Sequence, residues 1–285
     1  MREMDVVQRA EGVIRLALSE DLGVEGDITT NAVCPVGGEG RGVIVCREPC
    51  RVAGQPIAAR VFELVGPGAD YTPLARDGDA VKRGQEIGRV EGPLSAILAG
   101  ERTALNFLSH LGGIATLTAR LVAMAEPYGV KVMDTRKTTP GLRALEKYAV
   151  KVGGGVNHRE GLFDGILIKD NHIASSGGIE IAVRRVRNLL GYKYHVEVEA
   201  ADIAEVSDAL DAGADVIMLD NMDTPAVEKA VALIAGQAKV EVSVGVNPEN
   251  LQSFARLGVD QISMGFLTHS APSVDISLEL EPGAT

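Results

Sequence analysis

The residues most able to do chemistry are concentrated between positions 131 and 172, KVMDTRKTTPGLRALEKYAVKVGGGVNHREGLFDGILIKDNH. Residues 131–169 include eight Lys/Arg and four Asp/Glu, a net charge of +4, in a chain whose net charge is −11. A cationic cluster in an acidic protein favours small anionic ligands over nucleic acid, because the remaining surface would repel a polyanion. We therefore expect an anion-binding site and no nucleic-acid partner.

Six apolar runs of strand character follow one another in this half of the chain, with helical stretches between them. They are VKVMD (130–134), GILIKD (165–170), YHVEVE (194–199), DVIMLD (215–220), VEVSVG (240–245) and DQISMG (260–265). Such alternation is typical of a parallel α/β sheet. It favours a parallel barrel, and an open doubly wound sheet remains the alternative, although neither a GxGxxG after a first strand nor a GxxxxGK[ST] motif is present.

The carboxyl ends of parallel barrel strands lie on one face, so the residues that close these runs are the candidate site. Glu199 and Asp220 could hold a hard divalent ion together with substrate oxygens, and backbone N–H groups near the last two strand ends could bind a phosphate. Any one of these residues alone could be a helix cap or a solvated charge. As a set they predict a magnesium-bound, phosphorylated substrate; the set is Asp134, Arg136, Lys137, Lys169, Asp170, Glu199, Asp220, Ser243, Gly245, Gly265 and His269.

Arg136 and two further ionisable groups suggest a second ligand. Arg136, His158 and Arg159 could bind planar carboxylates, since a guanidinium matches a carboxylate bidentately. His158 alone would more often be a structural histidine. The glycine-rich VGGGVNHRE around it is not a phosphate-loop motif.

The first 124 residues have a different organisation. Residues 4–20 have helical spacing, residues 41–90 predict a small sheet with a hairpin near Asp79 to Gly84, and residues 93–124 predict two helices joined by a bend at Gly112 and Gly113. The hairpin resembles that of biotin or lipoyl carriers but has no lysine in a modifiable turn, so we interpret it as structural.

Composition sets outer limits. A chain of 285 residues with 46% hydrophobic residues can bury a large core. The sequence has no run of about 18 apolar residues, and its N-terminus lacks the basic, apolar and small-residue regions of a signal peptide. This predicts a cytoplasmic protein without a membrane partner. The three cysteines, Cys34, Cys46 and Cys50, are expected to be reduced thiols, not a zinc site.

The long central signature, with ERTALNFL, HVEVEA, DVIMLDNMD and GFLTHS, resembles the quinolinate phosphoribosyltransferase family. The resemblance runs from EDLGVEGDITT to LTHS, nearly the whole chain. It implies Mg²⁺-dependent transfer of a phosphoribosyl group from phosphoribosyl pyrophosphate to quinolinate with decarboxylation, a step of NAD biosynthesis. It also implies an α/β fold: an incomplete parallel α/β barrel at 114–269, and an N-terminal α/β sandwich domain at 1–113 joined by the tail 270–285.

The same resemblance assigns roles to individual residues. It makes Arg136, His158 and Arg159 quinolinate carboxylate binders, and it implies a homodimer, or a higher homo-oligomer, in which Arg102 reaches the partner's site. It implies that Lys137 and Lys169 neutralise the charge of the pyrophosphate and substrate. It implies that Glu199 and Asp220 face the ribose and the metal. Two departures from the family pattern are Val244, in Ser243-Val244-Gly245, and the pair Gly112-Gly113.

Three other functions remain open at this level. A related phosphoribosyltransferase could act on another aromatic acid, which would need fewer carboxylate-binding cations. A barrel aldolase or lyase could use Lys169 to form a Schiff base. A non-catalytic protein that binds a phosphorylated metabolite would release no pyrophosphate.

Overall fold

The computed structural model describes residues 3–243 and 245–281. Its helices are α1 (Glu3–Leu22), α2 (Ile28–Val33), α3 (Gln55–Val65), α4 (Leu94–Ala125), α5 (Arg143–Val152), α6 (Asp170–Ser176), α7 (Ile179–Leu190), α8 (Ile203–Asp211), α9 (Thr224–Ile234), α10 (Leu251–Ala255) and α11 (Phe266–His269), with a 3₁₀ turn at Glu126–Tyr128.

The described strands are two to eight residues long. They are β1 (Glu39–Cys46), β2 (Cys50–Arg51), β3 (Asp70–Pro73), β4 (Ala80–Val81), β5 (Glu86–Pro93), β6 (Lys131–Met133), β7 (Ile166–Ile168), β8 (Val196–Ala200), β9 (Val216–Asp220), β10 (Lys239–Ser243), β11 (Gln261–Ser263) and β12 (Ile276–Leu280).

The described chain forms two compact units. The first contains the chain up to Ala119, Thr138–Gly154 and the chain from Leu267 onward. The second contains Arg120–Lys137 and Gly155–Phe266. The domain bounds expected from the sequence stay a prediction.

The first unit is built on an antiparallel sheet in the order β12-β1-β5-β3. The C-terminal strand β12 pairs with β1, with Val43 opposite Glu279. The small sheet expected in residues 41–90 is therefore present. The expected hairpin near Asp79 to Gly84 is wrong, because the turn there joins β4, which pairs with β2, to β5, which lies in the other sheet. Cys46 and Cys50 are buried free thiols 3.5 Å apart.

A single helix, α4, replaces the two helices expected from Gly112 and Gly113. The glycines serve close packing instead of a bend. A Cβ on Gly113 would lie 2.0 Å from the carbonyl oxygen of Pro272, and one on Gly112 would lie 3.0 Å from Val274 Cγ2. Only residues without a side chain let the chain at 272–274 approach the helix this closely.

The segment Leu94–Tyr128, which contains α4, is long and apolar enough to cross a membrane by length and composition. Half of its most apolar window is buried within the protein, and the core helix of a soluble protein has the same properties. The expectation that no segment has the length and apolar composition of a membrane-spanning helix is therefore wrong. The absence of a membrane partner stays a prediction.

The second unit contains a parallel sheet in the order β6-β11-β10-β9-β8-β7. Within the described residues β6 and β7 are the two ends of this order, and a parallel bridge joins Met133 to Val156 beside β6. Val196, Val198 and Ile217 are fully buried, as expected for strands covered on both faces. The predicted α/β fold, an incomplete parallel barrel with an N-terminal α/β domain, is confirmed.

Candidate active site

A small cavity of about 160 Å³ lies at the carboxyl ends of the parallel strands in the second unit. It contains eight of the fourteen site residues named from the sequence, whose individual roles stay predictions. The lining residues are Thr135, Arg136, Lys137, His158, Arg159, Leu167, Lys169, Glu199, Met218, Asp220, Ser243 and Ser263.

Strand register brings side chains of neighbouring strands to one level in this cavity. Ser243 is paired with Asp220 on one side and with Ser263 on the other. Glu199 is paired with Met218 of the next strand. Because alternate residues of a strand face the same side, these positions all project into the same interior.

The strand-end acids in the cavity are not the residues that cap the following helices. Asp202 accepts a first-turn N–H of α8 at 2.9 Å, and Asp223 accepts one of α9 at the same distance. These bonds satisfy helix N–H groups that have no partner within the helix. Glu199 and Asp220 are therefore left to face the cavity.

Lys169 follows β7 directly, and its Nζ forms an ion pair with Glu199 Oε2. An ammonium held by a carboxylate acts as a point charge, whereas Schiff-base formation requires the neutral amine. This pair favours an electrostatic role for Lys169 over the aldolase or lyase reading.

The cavity carries more positive than negative charge. Burial, and after it the neighbouring Arg136 guanidinium, lower the pKa of Arg159. Arginine nevertheless remains charged at neutral pH because its ordinary pKa lies above about 12. The excess of cations suits a ligand with several negative charges; the cations are Arg136, Lys137, Arg159 and Lys169, and the carboxylates are Glu199 and Asp220.

Asp134 joins two parts of the cavity wall. Its carboxylate is fully buried, with Oδ1 accepting the backbone N–H of His158 at 2.9 Å and Oδ2 accepting the side-chain amide of Asn157. Asp134 also directly precedes the segment that carries Arg136. It thus fixes the segment after β6 against the segment that carries Arg159.

His158 lies against two buried acids. Its Nε2 is 3.0 Å from Glu197 Oε2 and 3.7 Å from Glu241 Oε1, and its Nδ1 accepts the backbone N–H of Arg159 at 2.7 Å. Burial, and second the Glu197 carboxylate, raise the pKa of Glu241 to about 7.

The chemistry of the donor set fits magnesium at Glu199 and Asp220. Mg²⁺ is usually held by one or two carboxylates together with substrate phosphates and water. The two acids are on adjacent strands, β8 and β9, and line the same cavity. Ser243, paired with Asp220, adds a hydroxyl oxygen to the same level.

Two family models match the chain in tandem. The N-terminal domain of quinolinate phosphoribosyl transferase matches residues 27–112, and the C-terminal domain of the same enzyme matches residues 114–279. Between them they cover nearly the whole chain. The chain belongs to the quinolinate phosphoribosyltransferase family. The resemblance inferred from the central signature is thereby confirmed.

Individual quinolinate phosphoribosyltransferases are similar over almost their full length. A probable nicotinate-nucleotide pyrophosphorylase (carboxylating) of Bacillus subtilis is 43% identical over 263 residues, 92% of this chain and 90% of that protein. Quinolinate phosphoribosyltransferase (decarboxylating) 1b of Nicotiana tabacum is 40% identical over 289 residues, 95% of this chain and 82% of that protein. The solved nicotinate-nucleotide pyrophosphorylase of Francisella tularensis has a TM-score of 0.92 at 37% identity, covering 99% and 98% of the two chains.

Six residues of the expected set are not among those that line the cavity: Arg102, Asp134, Asp170, Gly245, Gly265 and His269. Gly245 has a positive φ of 77° in the loop after β10, with open space where a Cβ would project. Gly265 lies two residues beyond the end of β11. Arg102 is exposed on α4, and His269 is exposed on α11, with Nδ1 2.6 Å from Ser270 Oγ. Val244 lies outside the described residues.

Sequence reasoning missed several residues of this quinolinate phosphoribosyltransferase site. Ser263 lines the cavity because β11 ends there, whereas the sequence prediction extended that strand to Gly265. Alternation could have identified Ser263, which is paired with Ser243. Glu197 and Glu241 were passed over as strand-interior residues, although a buried acid in an apolar strand is itself a signal.

Proposed function

We propose that the chain transfers the phosphoribosyl group of phosphoribosyl pyrophosphate to the ring nitrogen of quinolinate and removes one carboxylate. The products are nicotinate mononucleotide, pyrophosphate and CO₂, a step of NAD biosynthesis. The observation that carries the proposal is the cation-rich cavity at the strand ends of a chain from this family. Both substrates are polyanions, which suits the excess of lysine and arginine there.

Electrostatic stabilisation accounts for the first bond change. As pyrophosphate leaves C1 of the ribose, negative charge grows on the leaving oxygens and an oxocarbenium-like cation forms on the sugar. Lys137 and Lys169 oppose the charge of the leaving group, and Glu199 and Asp220 face the ribose. The quinolinate nitrogen then forms the new bond to C1, so no protein nucleophile is required.

Magnesium is part of this proposal. Glu199 and Asp220 would hold it, and when bound it supplies Lewis-acid neutralisation of pyrophosphate charge. The support is the pair of carboxylates on adjacent strands and the oxygen character of the donor set.

The guanidinium groups of Arg136 and Arg159 bind the two quinolinate carboxylates in this proposal. After N–C1 bond formation the ring nitrogen is positive. The C2–carboxylate bond then breaks, CO₂ leaves, and its electron pair stays on C2 beside that nitrogen until a proton takes the position of the lost carboxylate. The positive ring makes this step favourable without a covalent enzyme intermediate.

We further propose a homodimer in the cytoplasm, with Arg102 of one subunit completing the site of the other. The support is that Arg102 is exposed on α4, together with the family membership. Higher homo-oligomers built from such dimers are compatible with the same arrangement.

The direct test is incubation with quinolinate, phosphoribosyl pyrophosphate and Mg²⁺, with nicotinate mononucleotide and CO₂ measured together. We expect the two products in equal amounts, and none without Mg²⁺. Nicotinate replaces quinolinate as the control for the second candidate, an enzyme for another aromatic acid. Pyrophosphate release with nicotinate but not with quinolinate would overturn the assignment of the dicarboxylate substrate.

A further inference from the structure

A cluster of three side chains adjoins the candidate active site: His158, which also lines the cavity, Glu197 and Glu241. Glu241 is fully buried and Glu197 is 7% exposed. Within the described part of the chain, one oxygen of each, Glu197 Oε1 and Glu241 Oε1, has no hydrogen-bond partner, while Glu241 Oε2 accepts the Gln261 side-chain amide at 2.7 Å. Two buried acids with unsatisfied oxygens require an explanation.

The position of Glu197 separates it from the substrate cavity. His158 and Arg159 line both that cavity and a second one of about 450 Å³ in the same unit. Of these two cavities, Glu197 lines the second and not the first. Glu197 therefore contacts His158 without lining the cavity that contains Lys137, Lys169 and the strand-end acids.

The three ligand atoms lie within 4.8 Å of one another, as a metal site would require. The ring tautomer argues against this use. Nδ1 of His158 accepts the backbone N–H of Arg159, so Nδ1 carries no proton. A neutral ring then has its proton on Nε2. A metal at Nε2 would require that proton to move to Nδ1, towards which the Arg159 N–H already points. Metal-bound histidines instead usually donate from the other nitrogen.

With this tautomer, Nε2–H donates to Glu197 at 3.0 Å. Both ring nitrogens of His158 are then engaged within the protein. The backbone N–H of His158 is held separately by Asp134. This differs from the expectation that His158 binds a substrate carboxylate, and it leaves Arg159 as the residue of this segment that faces the ligand.

We propose that Glu197 is a positioning residue that orients His158 and, through Nδ1 of that ring, the backbone of Arg159, so that the Arg159 guanidinium meets a substrate carboxylate. This inference rests on the proposed function for its kinetic consequence. Glu241 is the third member of the cluster, with its Oε1 3.7 Å from His158 Nε2. Its raised pKa, caused by burial and by the Glu197 carboxylate, is the behaviour of two acids in one confined site.

Kinetics test the consequence by comparing Glu197→Ala with Glu197→Gln. The glutamine keeps a carbonyl oxygen that accepts Nε2–H, whereas alanine removes the acceptor. We expect Glu197→Ala to raise the KM for quinolinate about tenfold or more and to change the KM for phosphoribosyl pyrophosphate less than about threefold. Glu197→Gln should restore most of the quinolinate KM. Glu228→Ala, at an exposed site on α9, is the matched control.

Nitrogen-15 NMR of the histidine rings tests the geometry without any turnover. The chain has five histidines, so His158→Gln assigns the signal. At neutral pH we expect a neutral ring protonated on Nε2, a state that Glu197→Ala loses. A ring protonated on Nδ1, or a signal shifted by added Zn²⁺, would overturn the proposal and favour a metal site.

The two measurements also separate this inference from the proposed function. A wild-type protein that forms no nicotinate mononucleotide but has the Nε2-protonated ring overturns the function and retains the Glu197–His158 contact. Equal damage by Glu197→Ala and Glu197→Gln to kcat and both KM values would make Glu197 a merely structural residue and overturn the positioning role.

Discussion

The carbonyl oxygen of Pro272 lies 2.0 Å from the position that a Cβ on Gly113 would occupy. Gly113 is in the middle of α4, where glycine normally weakens a helix. The contact with the chain near the C-terminus explains its presence. Close packing, and not a bend, is the reason for glycine at this position.

We therefore expect opposite effects from alanine at two helical glycines. Gly113→Ala should lower the free energy of unfolding by about 1–3 kcal/mol, because the added methyl group collides with backbone. Gly12→Ala, on the open side of α1, should raise it by about 0.5–1 kcal/mol through helix propensity. Urea denaturation of both variants measures this. Equal stability of the two would mean that the chain at 272–274 moves without cost.

The helix also illustrates what the sequence could not predict. Periodicity identified an apolar helical segment, but the interruption at Gly112 and Gly113 has a tertiary cause that lies 160 residues further along the chain. The positions of the parallel strands were similarly accessible, since each strand of the second unit is a short apolar run. The end of β11 at Ser263 was not, because the apolar pattern continues through Met264, which is buried after the strand has ended.

The site was predictable where charge follows an apolar run. Lys169 and Glu199 were identified in this way and form an ion pair. Glu197 was not identified, because the partner of its carboxylate is His158, which lies in a loop 39 positions earlier and approaches it only in the folded chain. Local sequence does not encode such a partner.

The strand-end acids should control turnover and its metal dependence. Replacing Glu199 or Asp220 by alanine removes an anionic oxygen donor, and we expect kcat/KM to fall about 10- to 100-fold, with a weaker response to Mg²⁺. Initial rates over a magnesium titration measure both effects. Glu228→Ala is the surface control. Wild-type rates and metal response in both variants would contradict the assignment.

Position 136 should require a guanidinium group and not only a positive charge. Arg136→Lys keeps the charge but replaces a bidentate contact by a single one, so quinolinate binding should weaken by about 1 kcal/mol or more. Isothermal titration calorimetry measures the affinity, with Arg185→Lys on the exposed face of α7 as control. Unchanged affinity in Arg136→Lys would show that this residue makes no bidentate contact.

Glu241 should make stability depend on pH. Its pKa is about 7 in the folded protein against an ordinary 4.5, so between these values the unfolded chain ionises while the folded one does not. Its stabilising contribution is complete below pH 4.5 and is lost as the pH rises through about 7. The loss is on the order of 3 kcal/mol at 1.36 kcal/mol for each pKa unit.

Glu241→Gln should remove this dependence. Urea denaturation at pH 4.5 and 7.5 gives the free energy of unfolding for wild type and variant. We expect the difference between them to favour wild type more at the lower pH. Glu228→Gln, at an exposed site, should run parallel to wild type. Parallel curves for Glu241→Gln as well would place its pKa near the ordinary value.

The last prediction concerns Arg102, which the proposed dimer places in the partner's site. Arg102→Ala and Lys137→Ala should each be nearly inactive alone. When the two proteins are mixed and refolded together, a mixed dimer has one site with both lesions and one with neither. Random pairing makes about half of the dimers mixed, so roughly a quarter of all sites should regain full activity.

Specific activity before and after subunit exchange measures this recovery, and native mass spectrometry confirms that mixed dimers are present. Exchange of Arg102→Ala with an Arg136→Ala variant provides a second pair, since Arg136 lies with Lys137 in one cavity and should complement in the same way. The pair Lys137→Ala and Arg136→Ala should not recover activity. Both residues lie in the cavity of their own subunit, so each site of a mixed dimer carries one of the two lesions. Confirmed mixing of the Arg102 pair without recovery would mean that Arg102 serves its own subunit, and the dimeric site would be wrong.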